Sequence, residues 1–120
     1  MNWQVEYYKK ENGDIPVEDF LLTLNPKIRA KAFRQIELLQ EHGANLREPY
    51  VKAIKVEKYK GMFELRIKFA TDISRIFYFT YIDSRFVLLN GFVKKSNKTP
   101  QKEFEKALKY RMDFEKRCEE

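Results

Sequence analysis

The sequence predicts an α+β domain in which a βαα hairpin is followed by an antiparallel β-meander and a C-terminal helix. Three observations carry this reading. Two proline-initiated stretches with apolar residues at helical spacing fill residues 16–42, strand-like runs joined by turn-like links fill residues 52–93, and a last proline-initiated helical stretch follows Thr99. With 120 residues and no break in composition, the chain reads as a single domain spanning residues 1–120, with room for one core.

Residues 3–8 alternate loosely between polar and apolar and include Trp3, Val5 and Tyr7, which predicts a first strand ended by Asn12, Gly13 and Asp14. Pro16 suits a first helical turn, and Phe20, Leu21 and Leu24 give that short helix an apolar side. Asn25 as N-cap and Pro26 at the first helical position open a longer helix, with Ile28, Ala32, Ile36 and Leu39 on one stripe and Gly43 as its C-cap. The two helices share an apolar side that needs a sheet to cover it. Strands are expected at residues 52–57, 62–69, 73–82 and 85–93, the last three as a meander, since their links are short. Thr99 and Pro100 start a final helix whose inner face is expected to comprise Phe104, Ala107, Leu108 and Met112.

A hydrophobic fraction of 43% and an aromatic fraction of 15% exclude a disordered tail as the main content. No apolar run approaches the roughly 18 residues that span a bilayer, and the first residues lack the apolar stretch of a signal peptide, so a cytoplasmic protein is expected. Cys118 is the single cysteine, which leaves no intramolecular disulfide and no cysteine-based zinc site. The net charge of +6 is uneven: residues 1–51 carry 7 Lys/Arg against 8 Asp/Glu, whereas residues 52–102 carry 12 against 4. Such a local excess calls for a polyanionic partner, and RNA, DNA or an acidic protein would each satisfy it.

Strand alternation at residues 64–69 sends Leu65, Ile67 and Phe69 to one face and Glu64, Arg66 and Lys68 to the other. Arg75 opens the next strand near the Lys68 end of its neighbour, and Lys94, Lys95 and Lys98 lie in or beside the polar loop before the last helix. Three segments thus bring cations toward one region, and a helix N-terminus adds backbone donors suited to phosphate. Lys and Arg on an outer sheet face ordinarily serve solubility and edge protection. The scarcity of acids in the same stretch sets this face apart, because an ordinary solvated face mixes both signs. Glu64 reads as an ion-pair partner for Arg66 or a neighbouring lysine, His42 as a helix C-terminal residue, and Asp72 and Asp83 as turn residues. Tyr7, Tyr8, Tyr78 and Tyr81 read as packing residues, and no cofactor or metal is expected.

The segments Gly61-Met62-Phe63-Glu64-Leu65-Arg66, Ser74-Arg75-Ile76-Phe77-Tyr78-Phe79, residues 88–95 and Lys98-Thr99-Pro100 resemble the HigB-like, phage-derived branch of the RelE toxin superfamily. Four motifs stand in register over nearly the whole chain. The resemblance implies a RelE-like fold, a type II toxin-antitoxin toxin and an endoribonuclease that cuts messenger RNA on the ribosome. It also implies neutralisation by a small, HigA-like antitoxin of helix-turn-helix type. Carried over by position, Arg66 and Arg75 match basic sheet residues of the active site and Lys94 and Lys95 its basic segment after the last strand, which makes these four the implied catalytic residues, with Lys68 and Lys98 as flanking phosphate contacts of the RNA.

One departure concerns the catalytic tyrosine that the best-known RelE members carry on the C-terminal helix, where this chain has Phe104. A phenylalanine transfers no proton. The implied reaction is metal-independent attack by the RNA 2′-hydroxyl, with the arginines gripping phosphate oxygens and Lys94 or Lys95 carrying a proton. Two other readings stay open: a ParE-like poison of gyrase, which shares the fold without the nuclease site, and a non-catalytic nucleic-acid-binding domain.

Overall fold

The computed structural model describes residues 3–82, 84–94 and 99–119. Chain order is β1 (Gln4–Tyr7), α1 (Pro16–Thr23), α2 (Pro26–His42), β2 (Val51–Ala53), β3 (Met62–Phe69), β4 (Asp72–Tyr81), β5 (Arg85–Lys94) and α3 (Gln101–Cys118). The five strands form one mixed sheet in the order β1-β5-β4-β3-β2, with β1 parallel to β5 and every other pair antiparallel. Two details depart from the predicted layout. Single 3-10 turns at Gly43–Asn45 and Glu57–Tyr59 stand between the larger elements, and the first strand returns to the edge beside β5.

The caps follow local chemistry. The Asn25 side chain accepts from the Ile28 N–H at 2.9 Å, Pro26 follows at N1, and Gly43 ends α2 with its N–H on the Leu39 carbonyl at φ +54. A Cβ at position 43 would sit 1.9 Å from the Trp3 indole, so space as well as backbone conformation requires glycine there. At the start of α3, Pro100 rather than Thr99 occupies the N-cap.

Both faces of the sheet are covered. On one, Val17, Leu21, Ala32, Ile36 and Leu39 of α1 and α2 pack against Leu65, Ile67, Ile76, Tyr78 and Leu88. On the other, Phe104, Ala107, Leu108 and Phe114 of α3 pack against Met62, Phe77, Phe79, Val87 and Leu89. Each large aliphatic or aromatic side chain fully withdrawn from water stabilises the fold by about 1.5–3 kcal/mol, so two such layers explain how a chain this short holds a five-stranded sheet. The face expected to be charged and solvated is therefore apolar over much of its area, and its charges are confined to one end.

Two expectations about the elements are corrected. The strand expected at residues 52–57 ends at Ala53, because the chain turns inward at Glu57–Tyr59 and buries Tyr59 to 2% exposure against Phe104. Met112, expected on the inner face of α3, is 59% exposed. The inner row passes instead through Arg111, whose guanidinium lies over the Phe79 ring at 4.9 Å and donates to the Lys60 carbonyl at 2.8 Å.

Candidate functional site

Three rungs across β3, β4 and β5 build the charged end of the sheet. Glu64 stands opposite Phe77 and Phe77 opposite Asn90; Arg66 opposite Arg75 and Arg75 opposite Phe92; Lys68 opposite Ile73 and Ile73 opposite Lys94. Paired residues point to the same side, so Glu64, Arg66, Lys68, Arg75 and Lys94 share one face. A register shift between Phe77 and Tyr78 makes this possible. Below it Val87 and Leu89 pack toward α3, and above it Asn90, Phe92 and Lys94 do, because the extra residue reverses the alternation of β5. Without that bulge Lys94 would point toward α1 and α2.

Beside these rungs lies a cleft of about 380 Å³. Lys52 and Lys55 line it from β2 and the loop that follows, Glu64 from β3, Lys94 from β5, and Thr99 and Phe104 from the start of α3. Lys52 is the register partner of Glu64, so the lysine of the edge strand faces the acid directly. Phe104 is held between Tyr59, at 4.9 Å between ring centroids, and Phe77, at 5.2 Å, and Phe77 meets Phe92 at 5.3 Å. This run of rings is a rigid apolar support under a polar cleft. With Tyr59 and Phe77 stacked on it, Phe104 serves as wall rather than as a proton carrier.

The charges are crowded and only partly compensated. The Arg75 and Glu64 side chains are 4% and 8% exposed, and Arg75 Nη1 donates to Glu64 Oε2 at 3.4 Å. Among the described residues, Glu64 Oε1, Arg66 Nε and Arg75 Nε are buried without a hydrogen-bond partner. Leaving such a group unmade costs about 1–3 kcal/mol, which favours any ligand able to complete it. Burial pushes the Arg75 guanidinium down from its ordinary value, Glu64 holds it up, and Arg66 pushes it down further. The Lys94 ammonium is likewise lowered, first by burial and then by Arg75, with Lys52 and Arg66 adding to the effect and Glu64 opposing it. One carboxylate against four neighbouring cations leaves a local positive excess, and phosphate oxygens have the charge and acceptors to fill it.

Of the residues singled out in the sequence, Arg66, Arg75 and Lys94 come together here. Lys68 is exposed at the outer rung, where its carbonyl accepts from Lys31 Nζ. Lys95 and Lys98 lie outside the described residues. Arg75, expected to open its strand near the Lys68 end of β3, is the fourth residue of β4 and lies opposite Arg66 and diagonal to Lys68, at 3% exposure. Glu64 pairs with Arg75 rather than with Arg66 or a lysine. Lys52 and Lys55 were not singled out by sequence reasoning. The excess of lysine after residue 51 contained them, but only the β2–β3 register places them at the cleft.

Among the described residues, no three His, Cys, Asp or Glu side chains gather to hold a metal ion, and no helix is long and apolar enough to cross a membrane. His42 is at the C-terminal turn of α2, 3.8 Å from Glu41, and does not line the cleft.

Sheet, helices and cleft together define a small α+β protein with a cation-rich cleft at one end of a mixed sheet. The chain belongs to the family described as Phage derived protein Gp49-like (DUF891), whose model matches residues 19–112, from within α1 to within α3. That family is RelE-like and associated with the toxins of toxin-antitoxin systems. The matched span contains all the described cleft residues. No curated protein matches the chain.

Proposed function

We propose that this chain is the toxin of a type II toxin-antitoxin pair, of the HigB-like branch, and that it cuts messenger RNA on the ribosome by metal-independent attack of the 2′-hydroxyl. The observation that carries this reading is the cross-strand pair Arg66 and Arg75 with Lys94 on the same face, beside a cleft. Two guanidiniums on one rung suit the non-bridging oxygens of one phosphate, where charge builds as the nucleophile adds. The unpartnered Nε–H groups of Arg66 and Arg75 supply donors for those oxygens. Lys94, with its affinity for its proton reduced, donates to the departing 5′-oxygen, leaving a 2′,3′-cyclic phosphate and a 5′-hydroxyl. Lys95, Lys98 and Lys68 serve as further phosphate contacts. A helix-turn-helix, HigA-like antitoxin holds the toxin inactive in the cytoplasm until it is degraded.

The experiment is to supply purified protein to ribosomes programmed with messenger RNA and map new 5′ ends, comparing wild type with Arg75→Ala and Arg66→Ala. Loss of one transition-state donor of this kind costs about 100- to 1,000-fold in rate. Undiminished cutting by both variants removes the arginine pair from the mechanism. Intact transcripts accompanied by DNA damage in expressing cells turn the assignment to a gyrase poison.

A further inference from the structure

We infer that Glu64 is the group that takes the proton from the attacking 2′-hydroxyl, an assignment that rests on the nuclease reading above. The sequence offered Glu64 only as an ion-pair partner, yet the pair it makes uses one oxygen: Oε2 meets Arg75 Nη1, whereas Oε1 is buried with no partner among the described residues. Glu64 also lines the cleft, and in the described residues it is the one acid that does. A carboxylate held in a wall by an arginine, with its second oxygen unoccupied, is arranged to accept a hydrogen bond from a hydroxyl that enters the cleft.

The groups around it complete the chemistry. Lys52 faces Glu64 from β2, Arg66 lies two residues along β3, Arg75 bonds to it from one rung along on β4, and Lys94 lies a rung further on β5 and lines the same cleft; Lys55 lines the cleft beyond, and Phe104 and Thr99 close the α3 side. In the step, the 2′-O–H proton passes to Glu64 Oε1 as the 2′-oxygen bonds to phosphorus. The bond from phosphorus to the 5′-oxygen breaks, and that oxygen takes a proton from Lys94 Nζ. Glu64 is left protonated and Lys94 neutral, and transfer of one proton from the first to the second through solvent restores both. No other reactant is needed. The position of Phe104 thus ceases to be a gap, because proton removal and proton supply fall to β3 and β5 rather than to α3.

The test uses full-length protein and ribosomes programmed with messenger RNA, with cutting rate and affinity read separately. Affinity is measured on RNA carrying a 2′-deoxy nucleotide at the mapped cut, which binds and cannot react. Glu64→Gln should cut about 100-fold or more slowly, lose the acid limb of the pH–rate profile, and bind the 2′-deoxy RNA at least as tightly as wild type. Glu64→Asp keeps a negative charge for Arg75 and should cut at a rate between the two, which keeps the test open if the Gln variant folds poorly. Wild-type rate in Glu64→Gln overturns the assignment, as does a rate loss in both variants matched by an equal loss of affinity. If wild type itself leaves the RNA uncut, the nuclease reading falls and the assignment with it.

Discussion

Arg66 and Arg75 stand opposite each other across the β3–β4 ladder, yet only Arg75 is paired with Glu64 and nearly shut off from water. Like charges in register repel, so the pair persists because Glu64 compensates Arg75 and because the sheet fixes both backbones. The two arginines therefore differ in what they do for the fold. Arg75→Ala takes from the buried Glu64 carboxylate the partner it bonds to and should destabilise the protein by about 3 kcal/mol. Arg66→Ala removes a half-buried side chain whose backbone bonds to Tyr50 and Gln35 remain, so it should cost under about 1 kcal/mol. Thermal unfolding of the two variants separates them, while cleavage should fall in both.

Lys94 predicts a dependence of stability on pH. Its folded-state proton affinity is lowered, so below its folded pKa the fold carries a penalty for holding the charge. As pH rises from there toward the ordinary lysine range, the unfolded chain binds more protons than the folded one, and stability increases. Lys94→Met lacks this group and should melt slightly higher than wild type near pH 7, by a small margin because water screens a partly exposed ammonium. The margin should shrink as pH climbs through the lysine range. A margin that grows with pH would contradict the sign, and melting curves at several alkaline pH values decide it.

The arginine pair was legible in the sequence because alternation and a short hairpin fix which strand residues share a face. Glu64 was legible only in part. Its neighbours could be named, but its burial depends on α3 lying across the lower sheet, and its choice of Arg75 depends on the β3–β4 register. The orientation of Lys94 rests on the bulge after Phe77, which leaves no mark in a pattern of apolar and polar residues. The inner face of α3 was misread at its end for a related reason: Arg111 is charged, yet its stem and guanidinium cover the Phe79 ring, a position that hydrophobicity alone assigns to Met112.

Gly91 tests how α1 is seated behind the site. It pairs with Ile76 on the face opposite the cleft, and a Cβ there would lie 2.3 Å from the Phe20 ring. Gly91→Ala should therefore push α1 off the sheet and destabilise by about 1–3 kcal/mol. Trimming the ring should relieve the clash, so Gly91→Ala combined with Phe20→Ala should be less destabilised than the sum of the single changes. Strict additivity in chemical unfolding would show that the two positions do not touch.

Lys52 and Lys55 carry the last expectation, which concerns binding alone. Both line the cleft from the β2 edge, where an RNA strand would cross before reaching Arg66 and Arg75. Each phosphate neutralised on a single strand releases counterions and contributes about 0.7 to the slope of log affinity against log salt. Lys52→Ala with Lys55→Ala should flatten that slope by about 1.4, weaken binding of 2′-deoxy RNA at low salt, and approach wild type at high salt. Neither residue belongs to the folded core, so melting temperature should hold. Lys27→Ala, a change on α2 at the opposite face, should leave the slope unchanged. An equal flattening by Lys27→Ala would reduce the effect to net charge, whereas a flattening confined to the β2 pair marks the path along which RNA reaches the cleft.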